Sequence, residues 1–258
     1  MSALPSPRFT RTFHRRRFDG PRPAAAAGNH ETLGDAFRRF AAEAVRAGDE
    51  VVDLGTGEGR AAFLAARVAR RVVGIDRQAR AIEAARARAL ALGMAHVEFH
   101  CLDLEAVGLL SRDLRRRLGC PRGFDAALAH LCVSGPVLRR AAALLKPSGR
   151  GVVTALHSDH WHETGRGSRF AYDERGFALA LRAARLAPLA VEIETTEISF
   201  ASLEALRDLY LGGPRTRRLR DWREDGRWGR LQERFRGGRR TLTTSRISAL
   251  VRRRPRAS

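Results

Sequence analysis

Apolar residues follow two rhythms through the middle of this chain. Short apolar runs bounded by Gly, Asp or Pro alternate with longer stretches in which apolar positions recur every three or four residues. The first longer stretch, at 31–47, carries Leu33, Phe37, Phe40, Ala41 and Ala44 at helical spacing and is stopped by Gly48. The pattern then predicts a strand at 50–54, a helix at 60–69, a strand at 71–76 and a helix at 78–92 closed by Gly93. It continues with a strand at 97–102, a helix within 107–118, a strand at 125–131, a helix at 136–145, a turn at 146–149 and a strand at 151–156. Such alternation argues for an α/β three-layer sandwich, a mostly parallel sheet covered on both faces.

After residue 159 the rhythm loosens. A helix at 173–186, an alternating strand at 189–199, a helix at 203–211 and a last strand at 241–251 are expected. The arginine-rich stretch 212–238, with Trp222 and Trp228, gives no legible element. Residues 1–28, with four prolines and the run Ala24 to Ala27, read as a disordered basic arm. The organisation expected is a single domain over 29–258 with a helical insertion or lid at about 201–240.

Composition narrows the class. Of 258 residues 44% are hydrophobic, enough for one large core or two small ones, which argues against a disordered or fibrous chain. The formal net charge of +20 is unevenly spread: residues 214–258 hold 16 basic and four acidic residues, whereas 29–213 hold 26 and 23. RNA is therefore a possible partner through the basic carboxyl-terminal segment, although the body of the chain is nearly neutral. Three cysteines, Cys101, Cys120 and Cys132, lack the close pairs of a zinc knuckle or disulfide framework, which suits a reducing, cytoplasmic setting. No apolar run approaches the roughly 18 residues of a membrane span, so no membrane partner is expected.

The sharpest local feature is Asp53-Leu54-Gly55-Thr56-Gly57-Glu58-Gly59, a strand running into a glycine turn that opens a helix. Glycines there let backbone N–H groups and the helix start approach a ligand. The spacing G-x-G-x-G differs from G-x-G-x-x-G, and no Gly-Lys-Ser/Thr follows, so neither a dinucleotide nor a triphosphate site is indicated. Asp53 would repel a pyrophosphate but tolerate an ammonium or sulfonium. The second strand ends on Asp76 and the third on Asp103, so three successive strands deliver an acid to the carboxyl edge of the sheet, where open α/β sheets bind ligands. Read singly, Asp76 and Asp103 are equally suited to cap helices.

With these residues the chain resembles the class I S-adenosylmethionine-dependent methyltransferases. The matching segments are Asp53 to Gly59, Val73-Gly74-Ile75-Asp76, Asp103-Leu104, Phe124 to Leu128, and Leu144-Leu145-Lys146-Pro147-Ser148-Gly149, together spanning about 31–157. The resemblance implies a central seven-stranded sheet whose last strand is antiparallel, with S-adenosyl-L-methionine as cofactor. It implies cofactor contacts from Asp53, Gly55, Thr56, Gly57 and Gly59 around the methionine end, Asp76 and Arg77 near the ribose, and Asp103 and Leu104 beside the adenine. Ser148 and the pair Arg77-Gln78 depart from the common pattern.

Methyl transfer from a sulfonium needs alignment first and a base only where the nucleophile carries a proton. His130, at the end of the fourth strand, is a candidate base or cofactor contact, and a buried histidine is the plainer alternative. In the segment His157-Ser158-Asp159-His160-Trp161-His162-Glu163, His157 and Tyr172 are candidate proton relays and Trp161 a candidate stacking wall. No separated partner cluster accompanies these histidines, so no metal is assigned. Cys132 lacks a preceding proline, and no Asn/Asp-Pro-Pro-Tyr/Phe follows the fourth strand, which argues against pyrimidine-carbon and DNA-adenine methylation. The expected activity is methyl transfer to a small-molecule acceptor by in-line displacement. An RNA methyltransferase, or a non-catalytic protein binding the cofactor or nucleic acid, are the alternatives.

Overall fold

The computed structural model describes residues 9–18, 33–106, 111–168 and 170–254. Its strands are β1 (Phe9–Phe18), β2 (Glu50–Leu54), β3 (Arg71–Asp76), β4 (Val97–Cys101), β5 (Phe124–His130), β6 (Leu145–His157), β7 (Ala171–Tyr172), β8 (Leu186–Phe200) and β9 (Thr241–Arg253). The helices are α1 (Asp35–Ala44), α2 (Arg60–Ala65), α3 (Ala79–Ala91), α4 (Ser111–Arg117), α5 (Gly135–Leu144), α6 (Glu174–Ala183), α7 (Leu203–Leu206), α8 (Arg217–Glu224) and α9 (Arg227–Arg236). All strands join one sheet of order β1-β8-β9-β6-β5-β2-β3-β4, with β7 beside β6. Strands β4, β3, β2, β5 and β6 run parallel, and β9 is antiparallel to both β6 and β8.

Period-two alternation explains the layers. In β2, Val51 faces a core shared with α1, α2 and α3, while Val52 and Leu54 face one shared with α4, α5 and α6. The strands in the middle are buried on both faces, which is why they read as continuous apolar runs.

Among the described residues the sheet has nine strands, two more than the seven expected. The extra pair are β1, which lies parallel to β8 along its whole length, and the two-residue β7. Residues 9–18 of the expected disordered arm are therefore an edge strand, because β8 presents a full row of unpaired backbone groups for them to bind. The remainder of that arm lies outside the described residues, as do residues 107–110 of the expected fourth helix. Residues 146–149, expected as a turn, belong to β6, whose pairing with β5 shifts register between Phe124 and Ala126.

The arginine-rich stretch forms helices. α7 continues into a π-helical turn, Arg207–Leu211, and α8 and α9 follow. Thr216 caps α8 by accepting the Leu219 N–H, and Gly226, in left-handed geometry, separates α8 from α9. These helices enclose a third, smaller core of Phe200, Leu206, Leu219, Trp222, Leu231 and Leu242 at the ends of β8 and β9.

Candidate functional site

The carboxyl ends of the parallel strands form a cleft of about 330 Å³. It is lined by Gly55, Asp76, Arg77, Asp103 and Leu104, together with Leu131, Cys132, Ser134, Leu156 and Phe170 among others. Five expected cofactor residues from three separate strand ends thus converge on one wall.

The loop after β2 is held from below. Asp53 is 1% exposed; its Oδ2 accepts from the Thr56 hydroxyl at 2.6 Å and from the Ala62 N–H at 3.0 Å. Asp53 and Thr56, both expected near the methionine end of a cofactor, brace the glycine loop and the start of α2, and neither lines the cleft. Gly55, at φ 66°, passes so close to Cys132 that a Cβ would overlap its Cβ and Sγ. Gly59 is the left-handed N-cap of α2, and a Cβ there would meet Phe63 and Phe99 at 2.8 Å, so its role is also structural. Gly57 differs: at φ 54°, a Cβ on it would meet nothing within 4 Å, so the space above the loop is open. Its N–H donates to Asp76 Oδ2 at 2.8 Å, while Asp76 Oδ1 accepts from the Gln78 N–H at 2.9 Å. The Asp76 carboxylate is fixed in this way at the cleft edge with lone pairs to spare. Asp103 is fixed similarly, accepting the Glu105 N–H at 2.8 Å.

Burial pushes the Asp53 carboxyl up to about 7, Thr56 and Ala62 opposing and Asp76 adding to the rise. The folded state thus holds a proton that the unfolded chain releases near pH 4. The folded pKa lies above the unfolded one in an acid, so this group's contribution to stability is full at low pH and falls as pH rises from about 4 to about 7. Asp53→Asn is expected to remove that part of the slope. Paired urea titrations of wild type and variant across this range check it, and parallel stability curves would refute it.

Beside the cleft lies a larger cavity of about 850 Å³. The two share Leu156 and Phe170. Its walls come from β1 (His14, Arg16, Arg17), the segment after β6 (His160, Trp161, Arg166), the cap helices (Tyr210, Arg218, Trp222, Arg227) and β9 (Arg246). Trp161 stands edge-on to Trp222 and Tyr210, with ring centroids 5.0 and 5.9 Å away, on the wall of this cavity. His160 Nδ1 accepts the Ser245 N–H at 3.2 Å, so the neutral ring carries its hydrogen on Nε2. Burial, assisted by Arg246, lowers its pKa to about 3.

The two expected catalytic histidines are elsewhere. His157 is 1% exposed, accepts the Asp159 N–H on Nδ1 and sets Nε2 3.5 Å from Glu174, which Arg11 of β1 also binds. It anchors β1 and α6 to the end of β6 and lines neither the cleft nor the cavity. The ring of His130 packs edge-on to Phe37 at 4.9 Å, and burial, with Arg246 and Arg60, lowers its pKa to about 3. It too lies outside both lining sets and is a poor proton acceptor. Tyr172, the other expected relay, packs its ring on Phe177 and lines neither the cleft nor the cavity. Glu194, Arg246 and the β1 residues were missed by sequence reasoning. Of these, only the alternation in β8 offered a signal.

The family described as a methyltransferase domain matches residues 46–172. No curated protein matches the chain. Among solved structures, the YcgJ protein of Bacillus subtilis is 15% identical, with 84% of this chain and 97% of that one covered, at a TM-score of 0.61. A putative methyltransferase from Bacillus halodurans is also 15% identical at TM-score 0.61, with 86% and 100% covered. A geranyl diphosphate C-methyltransferase from Streptomyces coelicolor, solved with Mg2+, geranyl diphosphate and S-adenosyl-L-homocysteine, is 18% identical at TM-score 0.52, with 91% and 89% covered. At these identities the likeness is one of fold, and it covers more of the chain than the matched domain does.

Proposed function

Because residues 46–172 make this chain a class I S-adenosylmethionine-dependent methyltransferase, we propose that it methylates an acidic oxygen on a small, partly aromatic acceptor held in the larger cavity. The observation that carries this reading is the junction at Leu156 and Phe170, where the cleft and the cavity meet.

The cleft residues fit the cofactor. Open space above Gly57 would admit the methionine end, the Asp76 carboxylate could accept from a ribose diol, and Asp103 with Leu104 would border the adenine. When bound, S-adenosyl-L-methionine supplies a methyl group on a sulfonium. Leu156 and Phe170 would border the line of transfer and limit water there. Neither His130 nor His160 is basic enough to take a proton at neutral pH. The guanidiniums of the cavity offer another route: they favour the ionised form of an acid or phenol, so the acceptor arrives deprotonated. His160, with hydrogen on Nε2, can donate to such an oxygen, and Trp161 and Trp222 provide apolar surface for a ring.

The cavity's size of about 850 Å³ and its Trp161–Trp222 wall suit a small molecule better than an RNA strand. The arginines of the cap are also partly engaged at home: Arg227 binds Asp225 at 2.6 Å, Arg166 approaches the same carboxylate at 3.6 Å, and Arg218 donates to the Tyr210 carbonyl at 3.0 Å. The outward-facing Arg217 is the kind of residue an RNA reading would use. Transfer of labelled methyl to a panel of aromatic acids and phenols, set beside bulk RNA, tests the choice. Labelling of RNA alone, with affinity falling steeply in salt, would overturn it.

Asp76→Ala is expected to weaken S-adenosylmethionine binding by about 1–3 kcal/mol, through lost hydrogen bonds to the ribose and release of the Gly57 N–H. Calorimetric titration measures this, with NAD as the negative control, and unchanged affinity would remove Asp76 from the cofactor site.

A further inference from the structure

We propose that His14, Asp35 and Glu194 form a divalent-cation site on the wall of the larger cavity, suited to a borderline ion such as Mn2+ or Zn2+. The three come from different elements. Thr12 pairs with Glu194 across β1 and β8, and His14 stands two residues on, so His14 and Glu194 share a face of the sheet. The first turn of α1 is tied to that face by the Asp35 N–H, which donates to Glu194 Oε1 at 2.7 Å. One ligand atom from each residue lies within 4.8 Å of the other two, so side-chain rotations would have to draw them in to the roughly 3–3.5 Å that a shared ion with bonds of about 2 Å imposes.

A second observation singles out Glu194. Its Oε2 is buried and has no hydrogen-bond partner among the described residues. A carboxylate oxygen left in that state is costly, and a cation satisfies it. Glycine at position 34 lets the carboxylate lie against the start of α1: a Cβ there would come within 2.5 Å of Oε2 and 3.4 Å of the Arg246 guanidinium. Arg246, opposite Glu194 in the β8–β9 register, and Arg39, bound to Glu192 at 2.5 Å, are the neighbouring cations. Plainly read, Glu194 Oε1 caps α1; that leaves Oε2 and the imidazole of His14 unexplained.

One imidazole with two carboxylates mixes the preferences of Zn2+ and Mn2+, and hard Mg2+ or Ca2+ would favour an all-oxygen set. Three protein ligands leave positions open, and His14, Gly34, Asp35 and Glu194 all line the cavity, so these positions face it. An acidic acceptor oxygen would complete the shell. This last role rests on the proposed methyl transfer, whereas ion binding does not.

The test titrates the full chain with Mn2+ alone, followed by electron paramagnetic resonance, with Zn2+ as competitor and Mg2+ as comparison. One bound equivalent of Mn2+ is expected, displaced by Zn2+ and weakened at least about tenfold by His14→Ala and by Glu194→Gln. The glutamine keeps an oxygen for the Asp35 N–H, so α1 stays capped, and unaltered S-adenosylmethionine affinity shows that the variant is folded. Absence of stoichiometric binding, or binding indifferent to both substitutions, overturns the site. Turnover indifferent to chelation would overturn only the contact with the acceptor and leave the methyl-transfer reading intact.

Discussion

Trp222→Ala is expected to abolish methyl transfer while leaving S-adenosylmethionine affinity within about twofold, since cap and cleft are separate packing units. Trp222 is 1% exposed, the largest of the fully buried side chains. Its ring stands against Trp161, and the Arg227 guanidinium lies 4.8 Å over it. Removing it leaves a void in a core of few residues, for which about 3–5 kcal/mol is the usual cost. The cap core meets the sheet through Phe200 and Leu242, at the far ends of β8 and β9, so the loss falls on the cavity wall. Hydrogen exchange should show rapid opening over α8 and α9 with protection of β2 and β3 unchanged. A parallel collapse of cofactor affinity would mean that cap and cleft form a single unit.

Gly55→Ala strikes the opposite chamber. An alanine at φ 66° costs about 1–2 kcal/mol in backbone conformation, and its overlap with Cys132 adds an overpacking term of about 1–3 kcal/mol. Cofactor affinity is expected to fall at least about tenfold, because relief of the overlap must move either the loop or the β5 end, and both line the cleft. The double variant Gly55→Ala/Cys132→Gly separates the contributions. It should recover the overlap part of the stability loss and keep the backbone part. Thermal unfolding and calorimetry report both, and an unaltered affinity in the single variant would show that the loop does not carry the cofactor.

Strands β2 to β6 and their helices were legible because burial on both faces forces apolar runs, and glycine ends the helices between them. Asp76 and Asp103 were legible for a related reason: a strand end at the carboxyl edge fixes where its next side chain must be. The bracing role of Asp53 was not legible, because its distance along the chain from Thr56 and Ala62 says nothing of whether its carboxylate points outward or beneath the loop. β1 escaped notice because an edge strand need not bury much. Phe13 is 57% exposed and four of the ten strand residues are arginines, so what makes it a strand is the free edge of β8, far away in sequence. In α8 and α9 the apolar stripe is only Leu219 and Trp222, then Trp228, Leu231 and Phe235, diluted by arginine; Thr216 and Gly226 were the available punctuation. The cavity inherits both difficulties, since β1 and the cap build most of it.

The pairing of β1 with β8 also fixes an order of assembly. Thr12 and Glu192, bonded at 2.7 Å, are 180 positions apart, whereas the β2–β3 and β5–β6 contacts close short loops. Chain closure over such a span is slow, and on the ribosome β1 must wait until β8 has emerged. The cofactor half can therefore be in place while the acceptor wall is still missing one side. Nascent chains long enough to expose residues 33–172 should already bind the methyl donor, and capacity to hold an acceptor should come only with the last strands.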